Sequence, residues 1–185
     1  MSIAERLENV RSCIADSCES SGRSIDGVTL IAVSKRHGSA AIQEAYEAGH
    51  RDFGESYPQE MIEKSTQLAN ACPEIRWHFV GRVQRNKAAL ISEAGVIHGI
   101  GSLNQIRAIA RRIEPTDRAE VLLQVNQGAE AQKNGFSPDG LVGEIAQMSA
   151  VKEITIRGLM TLPPHGETEN SRAYFRKLRL LRDNL

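Results

Sequence analysis

The sequence is poor in the residues that mark several common classes of protein. Cysteine occurs only at Cys13, Cys18 and Cys72, an odd number without the spacing of a metal site, so we expect reduced thiols in a cytoplasmic protein. Aromatic residues make up 4% of the chain, which counts against a surface that stacks nucleic-acid bases. Lysine plus arginine (23) balance aspartate plus glutamate (23), so no overall field attracts nucleic acid or an anionic membrane.

Long apolar runs are also missing. The N-terminal stretch MSIAERLENVRSC alternates charged with apolar residues and has no signal-peptide core. No apolar run approaches the roughly 18 residues that a membrane span needs. Two basic clusters, Arg107–Arg112 and Arg172–Arg182, fall on predicted helices, where they are typical of solvated faces. We therefore expect neither a membrane nor nucleic acid among the partners.

Motifs for metal, nucleotide and serine chemistry are absent or incomplete. The five histidines are dispersed and no HExxH or CxxC motif occurs, so we predict no metal site. The segment GIGS (Gly99–Ser102) could cradle a phosphate, but it lacks the third glycine of GxGxxG, which favours a strand end followed by a helix cap. No serine stands in a GxSxG motif. Asp52 and Glu55 could act as acid and base, although their spacing alone does not single them out.

The segment LIAVSKRH (Leu30–His37) is the stretch around which the chain is arranged. Its β-branched and small apolar residues, without polar alternation, suit a strand covered on both faces, as in a parallel sheet between helices. Lys35 would end this strand, at the rim where α/β proteins gather their chemistry. A primary amine there either stays a solvated charge or forms an imine with an aldehyde.

Hydrophobic periodicity and capping residues predict one N-terminal helix followed by six strand–helix units. The first helix carries Ile3, Leu7, Val10 and Ile14 on its apolar side and ends before Ser20–Gly22. Strands are expected at Val28–Ser34, Arg51–Glu55, Ile75–Gly81, Val96–Ile100, Glu120–Asn126 and Ile154–Met160. The helices between them are expected from a cap at Ser39 to Gly49, over Tyr57–Leu68 and Gln84–Ser92, after a capping box of Ser102 and Gln105, and from Ser137–Pro138. A last helix carries Phe175, Leu178, Leu181 and Leu185.

Strands and helices that alternate in this way predict an α/β fold with a parallel sheet and helices outside, in a single domain over 1–185. Two closures compete, an open doubly wound sheet and most of an eight-stranded TIM-type barrel. Polar or small residues at the predicted strand ends suit the barrel, whose chemistry gathers at that rim. Six units are two short of a closed barrel, so strands one and six would present unpaired edges unless another chain or a further segment covers them.

Five motifs in order resemble one known family. They are IAVSK, FGES-Y-QE (Phe53–Glu60), WHFVG-Q-NK (Trp77–Lys87), QVN…KNGF (Gln124–Phe136) and RGLMTLPP (Arg157–Pro164). Together they closely resemble the pyridoxal-phosphate-binding homeostasis family, over about Leu30–Leu185. The family has the fold of the alanine racemase N-terminal domain. The resemblance therefore implies a TIM-barrel-like fold, here an N-terminal helix plus six of the usual eight βα units.

The resemblance also implies a function and a site. It implies a non-enzymatic protein of vitamin B6 homeostasis that holds pyridoxal 5'-phosphate (PLP) as a Schiff base on Lys35, with Ser56, His78, Asn126 and Met160 lining the pocket. By itself, His78 is either a packed polar residue or a pocket wall. The family usually has asparagine where this chain has Ser56, so the contact keeps a hydroxyl but loses an amide donor. Since an imine forms from a neutral amine, a partly desolvated lysine suits the role.

The sequence departs from the family most at its C-terminal end. The family continues through a glycine- and serine-rich motif and an arginine–isoleucine–glycine motif that supply phosphate contacts, whereas this sequence ends at Leu185. We therefore expect either a C-terminally truncated barrel or a protein without that phosphate anchor. If complete, the chain should bind PLP weakly and be poorly stable as a monomer. The full family member is expected to be a monomer, and the shortened chain is able to associate.

Other functions stay open beside the leading one, in which the partners are PLP and the PLP-dependent apo-enzymes that receive it. A fold-type-III PLP-dependent enzyme, such as an amino-acid racemase, would need a second acid–base residue on the opposite face of the imine. In racemases of this fold a tyrosine from a further domain supplies it. Alternatively, the chain is a barrel fragment that needs a partner chain to complete its sheet. Lys133, just beyond a strand end, is either a secondary docking amine or a solvated loop lysine.

Overall fold

Strands and helices alternate along the chain in the computed structural model, which describes residues 1–127, 134–163 and 168–185. The strands are β1 (Ala32–Val33), β2 (Asp52–Glu55), β3 (Arg76–Phe79), β4 (Val96–Ile100), β5 (Ala119–Gln124) and β6 (Ile154–Met160). The helices are α1 (Ile3–Ser20), α2 (Ser39–Glu47), α3 (Pro58–Leu68), α4 (Ala88–Ile91), α5 (Leu103–Ala110), α6 (Pro138–Ser149) and α7 (Thr168–Asp183). This order confirms the predicted N-terminal helix followed by six strand–helix units.

The order of the strands distinguishes between the two predicted architectures. The six strands follow one another in the sheet as they do in the chain, from β1 to β6, and the pairs β1–β2, β4–β5 and β5–β6 are parallel. A doubly wound sheet reverses its strand order at a switch point, whereas a barrel of βα units keeps chain order throughout. The sheet is therefore of the TIM-barrel type. As expected, β1 and β6 are the terminal strands of this order.

Contacts divide the chain into two compact units, Met1–His78 and Phe79–Leu185. In the first unit, α1 starts with the capping box that Ser2 and Glu5 form, and its Leu7 enters the hydrophobic core. That core has six buried members: Leu7, Ile42, Ala45, Phe53, Leu68 and Cys72. The helices α1, α2 and α3 and the strand β2 thus share one apolar cluster, which fixes the helix-covered face of β2.

The second unit shows the alternation of a strand with one fully buried face. Along β5, Ala119, Val121 and Leu123 are buried, while the residues between them are half-buried. The helices α5 and α6 bury Ile106, Ile109, Leu141 and Met148. None of the helices in the described ranges is long and apolar enough to cross a membrane.

The prediction for the first strand was wrong in length and in burial. Pairing with β2 is limited to Ala32 and Val33, and Val33 is 46% exposed, so this strand is not covered on both faces. The segment before it contains a 3-10 turn at Ile25–Gly27. β-Branched composition indicates that a segment can pair, but the length of a strand depends on the neighbour available to it.

Two helix starts also differ from prediction. The Ser39 hydroxyl donates to Gln67 Oε1 at 2.6 Å, so Gly38 is the N-cap of α2. The expected helix over Gln84–Ser92 is a 3-10 turn at Arg85–Lys87 followed by the short α4. Ser137 caps α6 as predicted. At the start of α5 the Ser102 hydroxyl accepts the Gln105 N–H, but Gln105 Oε1 accepts from the Gly101 N–H, so only half of the predicted capping box forms.

Candidate functional site

Lys35 lies in a tight turn after β1, and its side chain is exposed in this structure, not partly desolvated as expected from the sequence. The N–H of His37 donates to the carbonyl oxygen of Ser34 at 3.0 Å, which closes a four-residue turn with Lys35 and Arg36 at its centre. Arg36 has a φ of 64°, the left-handed conformation that the third residue of a type II turn requires and that glycine usually supplies. The turn thus presents the Lys35 amine at the carboxyl end of β1.

The pairing of β1 with β2 leads to Lys35 on one side and to Ser56 on the other. In the parallel pairing Ala32 faces Phe53 and Val33 faces Gly54, and the Ser34 hydroxyl continues the register by donating to Glu55 at 2.7 Å. Lys35 and Ser56 are the residues that follow this pair, at the carboxyl ends of the two neighbouring strands.

His78 is a buried residue with a defined partner. It is 3% exposed, and its Nε2 lies 2.9 Å from Asp52 Oδ1 on β2. The preceding residue, Trp77, packs on Phe53 within the helix-side core, with ring centroids 6.3 Å apart. Alternation therefore places His78 and Asp52 on the face of their strands away from the helices.

A network of buried charges lies behind the Lys35 turn, and sequence reasoning missed it. Lys64 on α3 donates from Nζ to Ser34 O at 2.8 Å, to Glu55 Oε1 at 2.7 Å and to Glu60 Oε1 at 2.6 Å. Glu60 Oε1 also accepts the Arg36 N–H at 2.9 Å. The hydrogen bond from Lys64 lowers the pKa of the Glu60 carboxyl below its usual range.

Asn126 and Met160 lie in the second unit, on one face of the β5–β6 pair. Gln124 faces Met160, and the Val125 N–H donates to the Met160 carbonyl oxygen at 2.8 Å. Asn126, two residues after Gln124, follows the same alternation and is anchored by its own N–H, which donates to Phe136 O at 2.9 Å. The structure thus groups Lys35, Ser56 and His78 in the first unit, and Asn126 with Met160 in the second.

The residues of the first unit have chemistry that fits the aldehyde end of PLP. Lys35 offers an amine that solvent reaches, Ser56 a half-buried hydroxyl and His78 an imidazole held by a carboxylate. An amine that condenses with an aldehyde must be accessible and must be held in a constant position, and an exposed residue in a hydrogen-bonded turn satisfies both conditions.

Comparison with known proteins bears on the family. Residues 13–185 match the family model described as the alanine racemase N-terminal domain. The chain is 35% identical to a pyridoxal phosphate homeostasis protein of Aquifex aeolicus, in a match that covers all of this chain and 82% of the relative. It is 36% identical to a protein of the same name from Pseudomonas aeruginosa, over 97% of this chain and 78% of the relative.

The chain belongs to the pyridoxal phosphate homeostasis protein family.

Solved structures agree with this membership. PipY of Synechococcus elongatus with PLP bound superposes with a TM-score of 0.84 at 35% identity, and the match covers 98% of this chain and 81% of PipY. An alanine racemase from E. faecalis superposes with a TM-score of 0.67 at 17% identity, over 98% of this chain and 49% of the racemase. The second likeness shows the fold that the homeostasis family shares with racemases.

The structure of this homeostasis-family chain also bears on several other predictions. Asp52 and Glu55, considered above as an acid–base pair, lie on opposite faces of β2 and have separate partners, His78 and Lys64. The GIGS segment ends β4 and caps α5, as predicted. All three cysteines are free thiols. Lys133 lies outside the described residues, and within them no group of three or more His, Cys, Asp or Glu side chains is arranged to hold a metal ion.

Proposed function

We propose that this protein holds PLP as a Schiff base on Lys35 and serves vitamin B6 homeostasis without catalysing a reaction. The observation that supports the proposal is the hydrogen-bonded turn Ser34–His37, which follows β1 and leaves the Lys35 side chain exposed. The relative PipY, similar over nearly the whole of this chain, has been solved with PLP bound. Family membership and a suitably placed amine therefore support the same cofactor.

In this proposal each residue has a limited task. The neutral Nζ of Lys35 would attack the aldehyde carbon, a C=N bond would replace the C=O bond, and the aldehyde oxygen would leave as water with the two protons of the amine. Ser56, His78, Asn126 and Met160 are the other residues that the family resemblance assigns to the cofactor, and in this proposal they orient and contact it. Bound PLP supplies an aldehyde that condenses reversibly with amines.

The experiment is an absorbance titration of the purified protein with PLP, beside the variants Lys35→Ala and Lys152→Ala. A Schiff-base band at the edge of the visible range should form in the wild type and in Lys152→Ala, which removes an exposed lysine. Borohydride reduction followed by peptide mapping should then locate the label on Lys35. An unchanged spectrum in Lys35→Ala, with the label on another residue, would contradict the proposal.

The non-enzymatic part of the proposal is tested separately, because the fold is also that of alanine racemases. Racemisation needs a second acid–base group opposite the lysine, and the proposal assigns no residue to that task. We expect the PLP-loaded protein to leave L-alanine unracemised over hours. Steady turnover that Lys35→Ala abolishes would instead favour a fold-type-III enzyme.

We also propose that the bound cofactor passes to PLP-dependent apo-enzymes. Mixing the PLP-loaded protein with such an apo-enzyme should restore its activity. Borohydride-reduced protein, in which the linkage is permanent, should restore none and provides the control.

A further inference from the structure

Lys64 is buried in a way that is unusual for a lysine on a surface helix. It is 6% exposed, and its ammonium donates to Ser34 O, Glu55 Oε1 and Glu60 Oε1 at 2.6–2.8 Å. Glu55 is 0% exposed, and among the described residues no partner reaches its second oxygen, Oε2. An isolated charge at such a depth is costly, so the lysine and the two carboxylates require one another.

This network reaches the backbone on both sides of Lys35. The carbonyl of the peptide that joins Ser34 to Lys35 accepts from Lys64 Nζ at 2.8 Å. The N–H of the peptide that joins Lys35 to Arg36 donates to Glu60 Oε1 at 2.9 Å. Because Lys64 and Glu60 are themselves bonded at 2.6 Å, the two peptide groups are tied to one ion pair.

The turn needs such support because of its conformation. Arg36 has a φ of 64°, a conformation that is unfavourable for residues other than glycine. Such a conformation persists only where surrounding interactions hold the backbone in place. The hydrogen bond to Glu60 comes from the amide of this same residue. The left-handed backbone and the Lys64–Glu60 ion pair thus form one arrangement, with the exposed Lys35 between the two tied peptide groups.

We infer that Lys64 is a positioning residue, whose ammonium, paired with Glu55 and Glu60, fixes the turn that presents Lys35 to the PLP aldehyde. The inference rests on the proposed function for the identity of the aldehyde. It assigns to Lys64 no contact with the cofactor, so its influence acts through the Ser34 and Arg36 peptide groups. Removing Lys64 should therefore slow the condensation at Lys35 rather than change its product.

The test compares Lys64→Met and Glu60→Ala with Glu63→Ala, which removes an exposed carboxylate from the same helix. Two quantities are measured, the rate constant for the Schiff-base band on mixing with PLP and the hydrogen exchange of the Arg36 amide. We expect Lys64→Met to slow the band and to speed the exchange, each by tenfold or more. Glu60→Ala removes the acceptor of the Arg36 N–H, so it should speed the exchange at least as much as Lys64→Met and also slow the band. Glu63→Ala should leave both quantities within twofold.

Several results would overturn the inference. One is an Arg36 amide that exchanges at the wild-type rate in a folded Lys64→Met protein. Another is faster exchange spread evenly over core amides such as that of Phe53, because that would indicate a purely structural role. An unchanged band rate despite a loosened turn would also overturn it. If Lys64→Met does not fold, Glu60→Ala, at a partly exposed position, decides by the same criteria. If the wild type forms no band at all, the proposed function fails, and the exchange arm still decides whether Lys64 fixes the turn.

Discussion

His78 Nε2 lies 2.9 Å from Asp52 Oδ1, so a buried imidazole on β3 is joined to a carboxylate on the neighbouring strand. An ionised carboxylate only accepts hydrogen bonds, so in this pair Nε2 carries the proton and donates it. The bond fixes both the ring orientation and the tautomer of His78. Through this bond Asp52 orients a residue that we propose contacts PLP.

Replacing Asp52 should therefore destabilise the protein, and more strongly when the new side chain has no hydrogen-bond acceptor. We expect Asp52→Ala to lower the free energy of unfolding by about 1–3 kcal/mol, because it removes an acceptor from a buried donor. Asp52→Asn keeps an amide oxygen and should cost less than about 1 kcal/mol. Urea unfolding measures both, and equal losses in the two variants would speak against the hydrogen bond as the cause.

His50 should make the stability of the protein depend on pH. Burial lowers the pKa of this imidazole below its usual value of 6.5, although Nε2 lies 2.8 Å from the Asp52 carbonyl oxygen, which acts in the opposite direction. Below about pH 6.5 the unfolded chain therefore binds more protons at this residue than the folded chain does. The contribution of His50 to the free energy of unfolding thus falls as the pH drops below about 6.5 and is constant above that pH. Urea midpoints between pH 5 and 7.5 should show this loss. His50→Gln should reduce it, while His37→Asn, at an exposed position, should retain it.

Arg36 can be tested through its left-handed backbone. That conformation costs a non-glycine residue about 1–2 kcal/mol, whereas glycine adopts it freely but loses more entropy on folding. We expect the free energy of unfolding of Arg36→Gly to equal that of the wild type or to exceed it by up to about 1 kcal/mol. That of Arg36→Val should be lower than the wild-type value by about 1–2 kcal/mol. Thermal and urea unfolding give the order of the three proteins. A destabilised Arg36→Gly would indicate that the arginine side chain has a role of its own.

Gly101 and Gly143 form a matched pair for an alanine substitution. A Cβ on Gly101 would lie 2.9 Å from the backbone nitrogen of Gly135, whereas one on Gly143, in α6, would meet nothing within 4 Å. We expect Gly101→Ala to destabilise by about 1–3 kcal/mol through overpacking, and Gly143→Ala to stabilise by about 0.5–1 kcal/mol. Urea unfolding compares them, and the opposite order would contradict the close approach of Gly101 to Gly135.

Elements with a strong period or a clear cap could be predicted from the sequence. The strands β4 and β6 were placed at their observed residues, and Gly49, with a φ of 81°, ends the turn after α2 as expected. Proline at the start of α3 was read correctly as a first-turn residue. These features depend on local conformation, which neighbouring residues determine.

What could not be predicted depends on partners distant in the chain. Ser39 has the chemistry of a cap, but Gln67 takes its hydroxyl. Lys64 was missed because its partners Ser34 and Glu55 come from other elements, 30 and 9 residues away. One signal was present, since Lys64 stands in the buried stripe of α3 between Met61 and Leu68, where an apolar residue is normal.

The type II turn after β1 also determines how Lys35 moves. Its two adjacent peptide groups are hydrogen-bonded to Lys64 and Glu60, so the backbone of this residue has little freedom. The remaining freedom is that of the four side-chain torsions. Rotamer changes of exposed side chains take picoseconds to nanoseconds. The Lys35 amine can therefore move rapidly within a small volume while the backbone of the turn stays in place.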